Sequence, residues 1–571
     1  MPIRTQIQKL LNLPDAIIEH SENASFGDYS TNAVLKLAKK ENRNPLAMAG
    51  ELVEKIKANL STSQVAIFDK IEVAPPGFIN FTLAPEFLAK QIAEILDKKE
   101  NYGVSSAGEG KRIQVEFISA NPTGPLTLGN GRGGFFGDVL ANILAVAGFD
   151  VKREYFVNDA GYQVEVLGHS VLKDEQAQYK GDYIDKLRKK LAPTPKDGLL
   201  GFLVWGCSWF SSKDPKVVGQ KAAEYILKNL IQPTIKDRMK IKFDEWVSEQ
   251  EIKNSGLPEK ILEILKSKNL TYEQDGAVWF KSMQFGDDKD RVLITSAKED
   301  REQSATYILP DAAYHYKKFS EDKFDKVINI WGADHHGYVS RLQAVGKALG
   351  AWDEKKLEII IMQMVRLFAG GQEVKMSKRL GTYITLDELL EEIPLDVARF
   401  FFLMRAPNTH MDFDLDLAKE QSDKNPVYYV QYAYARIHSI LAKSQFPISN
   451  FQTNFKSQIQ NLKLLIHPSE LSLIKQLIRL PEIIADIALD YQVHRLPQYS
   501  LDLVRSFHKF YEECRVLPAL PSGPEGPSRP SNGSVELDPA TSQARLAFCE
   551  ATKTVLANAL LLMGISAPEK M

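Results

Sequence analysis

The chain has 571 residues with 71 Lys and Arg against 73 Asp and Glu, a formal net charge of −2. That length allows several domains, and the charge balance supplies no global basic field, so a nucleic-acid partner would have to be met by local patches. Cys207, Cys514 and Cys549 lie far apart with no C-x-x-C spacing, which argues against a disulfide framework or a cysteine-built zinc site and fits a reducing cytoplasm.

The N-terminus, MPIRTQIQKLLNLPDAIIEH, lacks a basic start followed by an apolar core, and the longest apolar runs, such as FFGDVLANILAVAGF, fall short of a membrane span. The chain therefore reads as neither secreted nor inserted. Residues 1–108 alternate helical stretches (NAVLKLAKK, PLAMAGELVEKIKANL, PEFLAKQIAEILDKK) with the turn and strand APPGFINFTL, a pattern that predicts a small α+β domain. NYGVSSAGEGK is a linker by composition.

From Lys111 the order becomes strand IQVEFIS, a glycine-rich loop, helix FFGDVLANILAVAGFD and strand VKREYFV, followed much later by VINIWGA. Such βαβ order predicts a doubly wound, Rossmann-like parallel sheet with its ligands at the carboxyl ends of the strands. This α/β core is expected over 109–394, with a helical excursion at about 165–290. Helical periodicity dominates 395–571, broken at about 517–543 by a Pro/Gly/Ser-rich stretch expected to be a surface loop.

The loop PTGPLTLGNGRGG (122–134) holds five glycines between strand and helix, a composition suited to cradling phosphate on backbone N–H groups and a helix N-terminus. A dinucleotide reading through Gly129, Gly131 and Gly134, with Glu154 as the acid, is weak, and the P-loop pattern is absent. The order P-x-G-x-L-x-x-G instead resembles the first signature of class I aminoacyl-tRNA synthetases. Their second signature, a lysine loop, is matched by GGQEVKMSKRLGT with Lys375, Met376, Ser377 and Lys378 unaltered. Transfer of AMP to a carboxylate develops charge on phosphate, which a fixed cradle and two mobile ammonium groups can stabilise. Gly370 and Gly371 are expected to let the lysine loop close over ATP.

More widely, SFGDYSTNAVLKLAKK, VEFISANPTGPL, YILPDAAYHYKKF, WGADHHGYVSRLQA and DFDLDLAKEQSDKNPVYYVQYAYARI resemble segments of bacterial-type arginyl-tRNA synthetases along almost the whole chain. The resemblance implies an arginine-activating, tRNA-charging ligase that uses ATP with Mg²⁺, and it assigns the helical C-terminal part to the anticodon and the N-terminal domain to the outer corner of tRNA. It implies that Glu116, Tyr307 and Asp311 hold the guanidinium and that Ser119 and Asn121 contact the α-amino and carboxylate end. Carboxylates and an aromatic face also suit a planar fork of five donors on chemical grounds. Pro122, Gly124, Gly129, Gly131, Met376 and Ser377 are expected to bind ATP, with Thr127, Asn130, Lys375 and Lys378 acting in catalysis.

Asp334 and His335, after the strand VINIWGA, are expected to line the amino-acid or adenosine pocket. The adjacent pair His335 and His336 on a strand end points to opposite sides, so no metal site is read there. In the run containing Tyr428, Tyr429, Tyr432, Tyr434 and Arg436, Tyr432 and Arg436 are the candidates for stacking unpaired tRNA bases, and about half of the tyrosines should be packed. A cytoplasmic monomer is the expected form. One departure from the resemblance stands out: its usual His-x-Gly-His is Thr127-Leu128-Gly129-Asn130 here. Hydroxyl and amide retain donors, and the Thr-x-Gly-Asn form also resembles tryptophanyl-tRNA synthetases. The competing readings are a catalytically silent tRNA-binding relative and a synthetase of another specificity.

Overall fold

In the computed structural model the described residues are 3–21, 23–59, 67–191, 214–297, 303–374, 384–444, 461–517 and 537–571. At the N-terminus, β1 (Glu19–His20), β2 (Tyr29–Thr31), β3 (Phe68–Ala74) and β4 (Phe78–Leu83) form an antiparallel sheet in the order β1-β2-β4-β3. Alternation along FINFTL turns Ile79, Phe81 and Leu83 inward, where they meet Ile7, Val34 and Val53 of the covering helices. This is the predicted α+β domain.

The N-terminal domain is held to the C-terminal helices by charge. Arg4 Nη1 donates to both oxygens of Asp486 at 2.7 and 2.9 Å, His20 lies 2.8 Å from Glu482, and Lys475 pairs with Asp28 at 2.6 Å. Asn558 Nδ2 donates to the carbonyls of Lys99 and Tyr102, fixing the exit from this domain.

Five parallel strands make the central sheet: β5 (Arg112–Glu116), β6 (Asp150–Val157), β7 (Glu245–Ser248), β11 (Lys326–Gly332) and β12 (Leu357–Met362), in the order β12-β11-β5-β6-β7. The chain runs outward from β5 to β7, then returns to β11 on the other side of β5. That reversal makes the carboxyl ends of β5 and β11 the switch point where a doubly wound sheet opens a crevice.

Helix Leu128–Val146 follows β5 and is almost wholly buried. Three of its glycines are packing devices. An added Cβ would fall 2.7 Å from Leu386 Cδ1 at Gly131, 2.6 Å from Met239 Cε at Gly134 and 2.4 Å from Phe117 Cγ at Gly137. The helix therefore approaches sheet and neighbours more closely than any side chain would permit.

Two expectations about layout are corrected. The excursion at about 165–290 is not purely helical: β7 joins the central sheet from within it, and β8 (Thr271–Gln274), β9 (Ala277–Phe280) and β10 (Arg291–Ile294) form an antiparallel sheet. Short strands are easily hidden in a sequence dominated by amphipathic helices. Likewise, beyond position 395, β15 (Met411–Asp414) pairs in parallel with β13 (Val365–Ala369), which forms a hairpin with β14 (Gln372–Val374). Gly370 and Gly371, at φ +59° and +72°, make that hairpin's turn, a conformation favouring glycine at both positions. The rest of the C-terminal part is helical, ending in the long helix Pro539–Leu562. Among the described residues no helix is long and apolar enough to cross a membrane.

Candidate active site

The chain leaves β5 through a strained turn. Ile118 and Ser119 have φ of +67° and +36°, costly for residues with a side chain and most costly for a β-branched one. The turn is fixed by hydrogen bonds: Ser119 Oγ accepts from Phe156 N–H at 3.1 Å and donates to Glu116 Oε1 at 3.3 Å, while Asn158 Nδ2 donates to the Ser119 carbonyl at 2.9 Å. Asn121 is exposed and donates to Gln163 at 2.6 Å. Pro122 and Gly124 are buried beneath the turn.

Thr127 caps helix Leu128–Val146 and Asn130 completes a capping box. The Thr127 hydroxyl and N–H both donate to Asn130 Oδ1, at 2.8 and 3.0 Å, and the hydroxyl accepts from Asn130 N–H at 3.4 Å. Thr127's one hydroxyl proton is thus engaged, whereas no acceptor among the described residues takes Asn130 Nδ2. Gly129 lies on the exposed edge of this first turn, with open space where a side chain would stand except for Thr127 Oγ1 at 3.7 Å. Gly131, by contrast, faces Leu386.

An antiparallel bridge joins Thr127 to Thr385, and Leu386 N–H donates to the Leu126 carbonyl at 2.9 Å. The segment just after the lysine signature is therefore anchored to the first signature. Lys375, Met376, Ser377 and Lys378 themselves lie outside the described residues.

On the other side of the turn, acids converge. Glu116 at the end of β5 is buried, and its Oε2 accepts from Lys318 Nζ at 2.7 Å and Tyr314 Oη at 3.0 Å. Lys318, fully buried, also pairs with Glu154 at 3.0 Å, and Glu154 accepts from Tyr314 and from Gln114 Nε2. Burial alone would raise the Glu116 pKa and lower that of Lys318, but their mutual attraction wins, so Glu116 is held below and Lys318 above its usual range. His315, on the same helix, is pushed down to about 3 by burial and by Lys318. The neutral ring fits its partners, the Asp311 carbonyl at Nδ1 and the Asn329 side chain at Nε2.

Asp311 and Tyr307 sit one turn apart, as their spacing predicts: Tyr307 caps helix Ile308–Ser320 and its carbonyl accepts from Asp311 N–H at 3.2 Å. Tyr307 is 60% exposed, an unusual setting for a large ring. Asp311 keeps some accessible surface, but protein crowds its carboxyl. Burial pushes the group up to about 7, with the Tyr338 phenol and Lys253 opposing the rise and the like charges of Glu249 and Glu116 adding to it. The Tyr338 hydroxyl is buried and faces Asp311, with no partner among the described residues in full hydrogen-bond geometry.

Glu249 is the acid that sequence reasoning missed. It opens the short helix Glu249–Lys253 after β7, is only 7% exposed, and pairs with Lys253 at 2.7 Å. Ser248 caps that helix and donates to Asp159 at 2.7 Å, locking the ends of β6 and β7 together. Asp334 and His335 follow β11, as expected, and the pair His335 and His336 lies in the 3-10 turn Ala333–Tyr338 rather than on a strand end. Asp334 and His335 are both exposed, and they meet each other at 3.5 Å. It is Tyr338, from the end of the same turn, that faces Asp311.

These positions describe a switch-point crevice with an acidic, partly aromatic end at β5, β7 and helix Ile308–Ser320, and a helix N-terminus beside it. Residues 2–83 match the arginyl-tRNA synthetase N-terminal domain, 91–191 and 210–408 the catalytic domain of class I tRNA synthetases (R), and 430–571 the DALR anticodon binding domain. Among relatives, the arginine–tRNA ligase of Heliobacterium modesticaldum is 40% identical over 98% of this chain and 94% of its own length. That of Geobacillus thermodenitrificans is 41% identical over 98% and 95%. The chain belongs to the arginyl-tRNA synthetases. The fold agrees: the Thermus thermophilus arginyl-tRNA synthetase superposes with a TM-score of 0.74 at 22% identity, covering 99% of this chain and 98% of that one.

For an arginyl-tRNA synthetase the C-terminal aromatic run is informative. Tyr434 is buried, while Tyr428 and Tyr432 stack outward with centroids 6.3 Å apart and planes at 8°. Arg436 donates to the Tyr432 hydroxyl at 3.1 Å and lies 4.6 Å from the Tyr511 ring centroid. Tyr432 and Arg436 thus form one surface, with Tyr511 on the adjoining helix.

Proposed function

We propose that this chain activates L-arginine with ATP, releasing pyrophosphate, and transfers the arginyl group to the 3′ end of its cognate tRNA. The observation that carries the reading is the convergence of Glu249, Asp311 and the Tyr307 ring at the sheet's switch point, with Glu116 in the floor behind them. A guanidinium there meets two carboxylates and an aromatic face. Glu116, bonded by Lys318 and Tyr314, contributes mainly through its field and by shaping the floor. Ser119 and Asn121, on the strained turn between this end and the helix N-terminus, are placed for the α-amino and carboxylate groups, and Asp334 and His335 border the same crevice.

At the other end, Pro122, Gly124, Gly129 and Gly131 shape the approach to the helix N-terminus, where backbone N–H groups and Asn130 Nδ2 face ATP phosphates. Thr127 acts by holding Asn130. Lys375 and Lys378, flanking Met376 and Ser377, supply the mobile positive charge. The reaction needs no protein nucleophile: the arginine carboxylate attacks the α-phosphorus and pyrophosphate leaves. Mg²⁺ enters with ATP, whose oxygens it prefers. Tyr432 and Arg436 stack an unpaired base of the tRNA(Arg) anticodon region. The protein works as a monomer in the cytoplasm.

The capping box favours one rival, a silent tRNA-binding relative, because Thr127 and Asn130 partly satisfy one another. Arginine-dependent ATP–pyrophosphate exchange, with and without tRNA accepting arginine and with lysine and tryptophan as controls, separates the two. Exchange specific to arginine supports the ligase; salt-sensitive tRNA binding without exchange or charging supports the rival.

A further inference from the structure

The acidic end of the crevice contains a cation of its own. Lys253 Nζ lies 2.7 Å from Glu249 Oε1 and 5.9 Å from the centroid of the Tyr307 ring. It also faces Gly161, whose φ is +88°: a Cβ there would stand 3.8 Å from Nζ and 3.5 Å from the Tyr307 hydroxyl. The ammonium and the phenol therefore share one bare stretch of backbone at the mouth of the pocket. The Lys253 side chain is 27% exposed against 9% for Glu249, so the cation has a path to solvent that the acid lacks.

We propose that Lys253 is a resident counter-ion of the arginine pocket, occupying part of the guanidinium position in the empty site and swinging out when arginine binds. The inference rests on the reading of Glu249, Asp311 and Tyr307 as the guanidinium site. Lys318 is committed to Glu116 and Glu154, so without Lys253 the site would hold Glu249 close to Asp311 with no ammonium beside it, a costly arrangement for buried carboxylates. With it, the charge is met in the empty state by a group tethered only four residues away on the same helix, at an effective concentration that no free ammonium matches.

Displacement imposes the same penalty on every cationic ligand. A ligand with a lone ammonium, such as free lysine, replaces one ammonium by another and is pushed out of useful affinity. Arginine retains binding because its planar fork engages Glu249 and Asp311 together and lies against Tyr307. Lys253 thus sets the threshold a side chain must exceed.

The test is equilibrium binding of L-arginine and L-lysine to the full chain, with KM and kcat for aminoacylation, in Lys253→Met, Lys253→Gln and Lys253→Arg. Removing the resident cation should tighten arginine about five- to tenfold, as expected when a competent state goes from minor to dominant, and tighten lysine by the same factor, with KM falling and kcat retained. Lys253→Gln keeps a neutral hydrogen-bonding group beside Glu249 should Lys253→Met fold poorly. Lys253→Arg, a better internal competitor of unchanged charge, should weaken arginine binding below wild type. Unchanged or weaker arginine binding in both neutral variants, or wild-type binding in Lys253→Arg, overturns the proposal. Asp311→Asn in the same assay tests the underlying reading: normal arginine binding there removes the pocket assignment itself, whereas loss there with no effect at Lys253 removes only the counter-ion.

Discussion

Under the proposed function, the two ends of the crevice solve opposite electrostatic problems with different materials. The arginine end must hold a cation, and it is built from buried carboxylates fixed by a paired lysine, tyrosines and strand ends. The phosphate end must hold anions, and among the described residues it offers backbone N–H groups, a capped helix start and one amide. Buried acids are rigid and selective but leave the fold exposed to any lost partner. A helix N-terminus requires no buried charge and tolerates a change of side chain, and the proposed function relies on that tolerance at Thr127 and Asn130.

The largest expected effect lies beneath the arginine end. Lys318→Ala leaves Glu116 and Glu154 without the ammonium that bonds them at 2.7 and 3.0 Å. Breaking a buried pair from one side costs about 3–5 kcal/mol, which chemical denaturation would read directly. A loss below about 1 kcal/mol, the range of exposed pairs, would mean that the network is far wetter than its burial indicates.

Asp311→Asn should come next. It removes one partner of a charge-assisted fork but keeps size and helix position, so kcat/KM for arginine should fall by about 10² or more, corresponding to the loss of roughly 3 kcal/mol expected for such a pair. Pyrophosphate exchange over a range of arginine concentrations would show it mainly in KM. An unchanged KM would move the guanidinium away from Asp311 and dissolve the contrast between the two ends.

At the phosphate end the sharp substitution is Asn130→Asp. Aspartate at this position still accepts from the Thr127 N–H and hydroxyl, so the capping box survives and thermal stability should stay within about 0.5 kcal/mol of wild type. The Nδ2 donor is lost and a negative charge faces phosphate, so kcat for adenylation should drop by about 10². Stability falling together with activity would assign Asn130 to the cap alone.

How legible this was depended on what each residue type encodes. The βαβ order, the α+β start and the helical finish are written in periodicity, and Tyr307 with Asp311 could be placed on one helical turn by spacing. Glu249 was not visible because β7 is four residues long and sits inside a region read as helical, so nothing marked its carboxyl end as facing the crevice. The glycines carry a demand that richness does not reveal: Gly131 and Gly134 are excluded from bearing a side chain by Leu386 and by Met239 with Ile118. Steric demands from distant segments leave no local signature. The turn after β11 likewise faces Asp311 through Tyr338 rather than through the more conspicuous Asp334 and His335.

The smallest effect, and the finest test of the comparison, is pH. The Asp311 carboxyl stands at about 7 in the empty site, far above an ordinary aspartate, so between about 4 and 7 the folded chain holds a proton that the unfolded chain has released. The sign follows: this group makes the empty fold less stable as pH rises through that window, and a bound guanidinium, which requires the carboxylate, relieves the strain. Arginine should therefore release about half a proton per site on binding at pH 7, where the group is half ionised. Its KM should rise as pH falls, by up to tenfold per unit below 7 until the pKa of the bound state is reached. The phosphate end contains no such group among Thr127, Gly129 and Asn130, so KM for ATP should stay flat over the same range. Calorimetry in two buffers of different ionisation enthalpy would count the proton; none released at pH 7 would place Asp311 fully ionised and leave burial without its expected consequence.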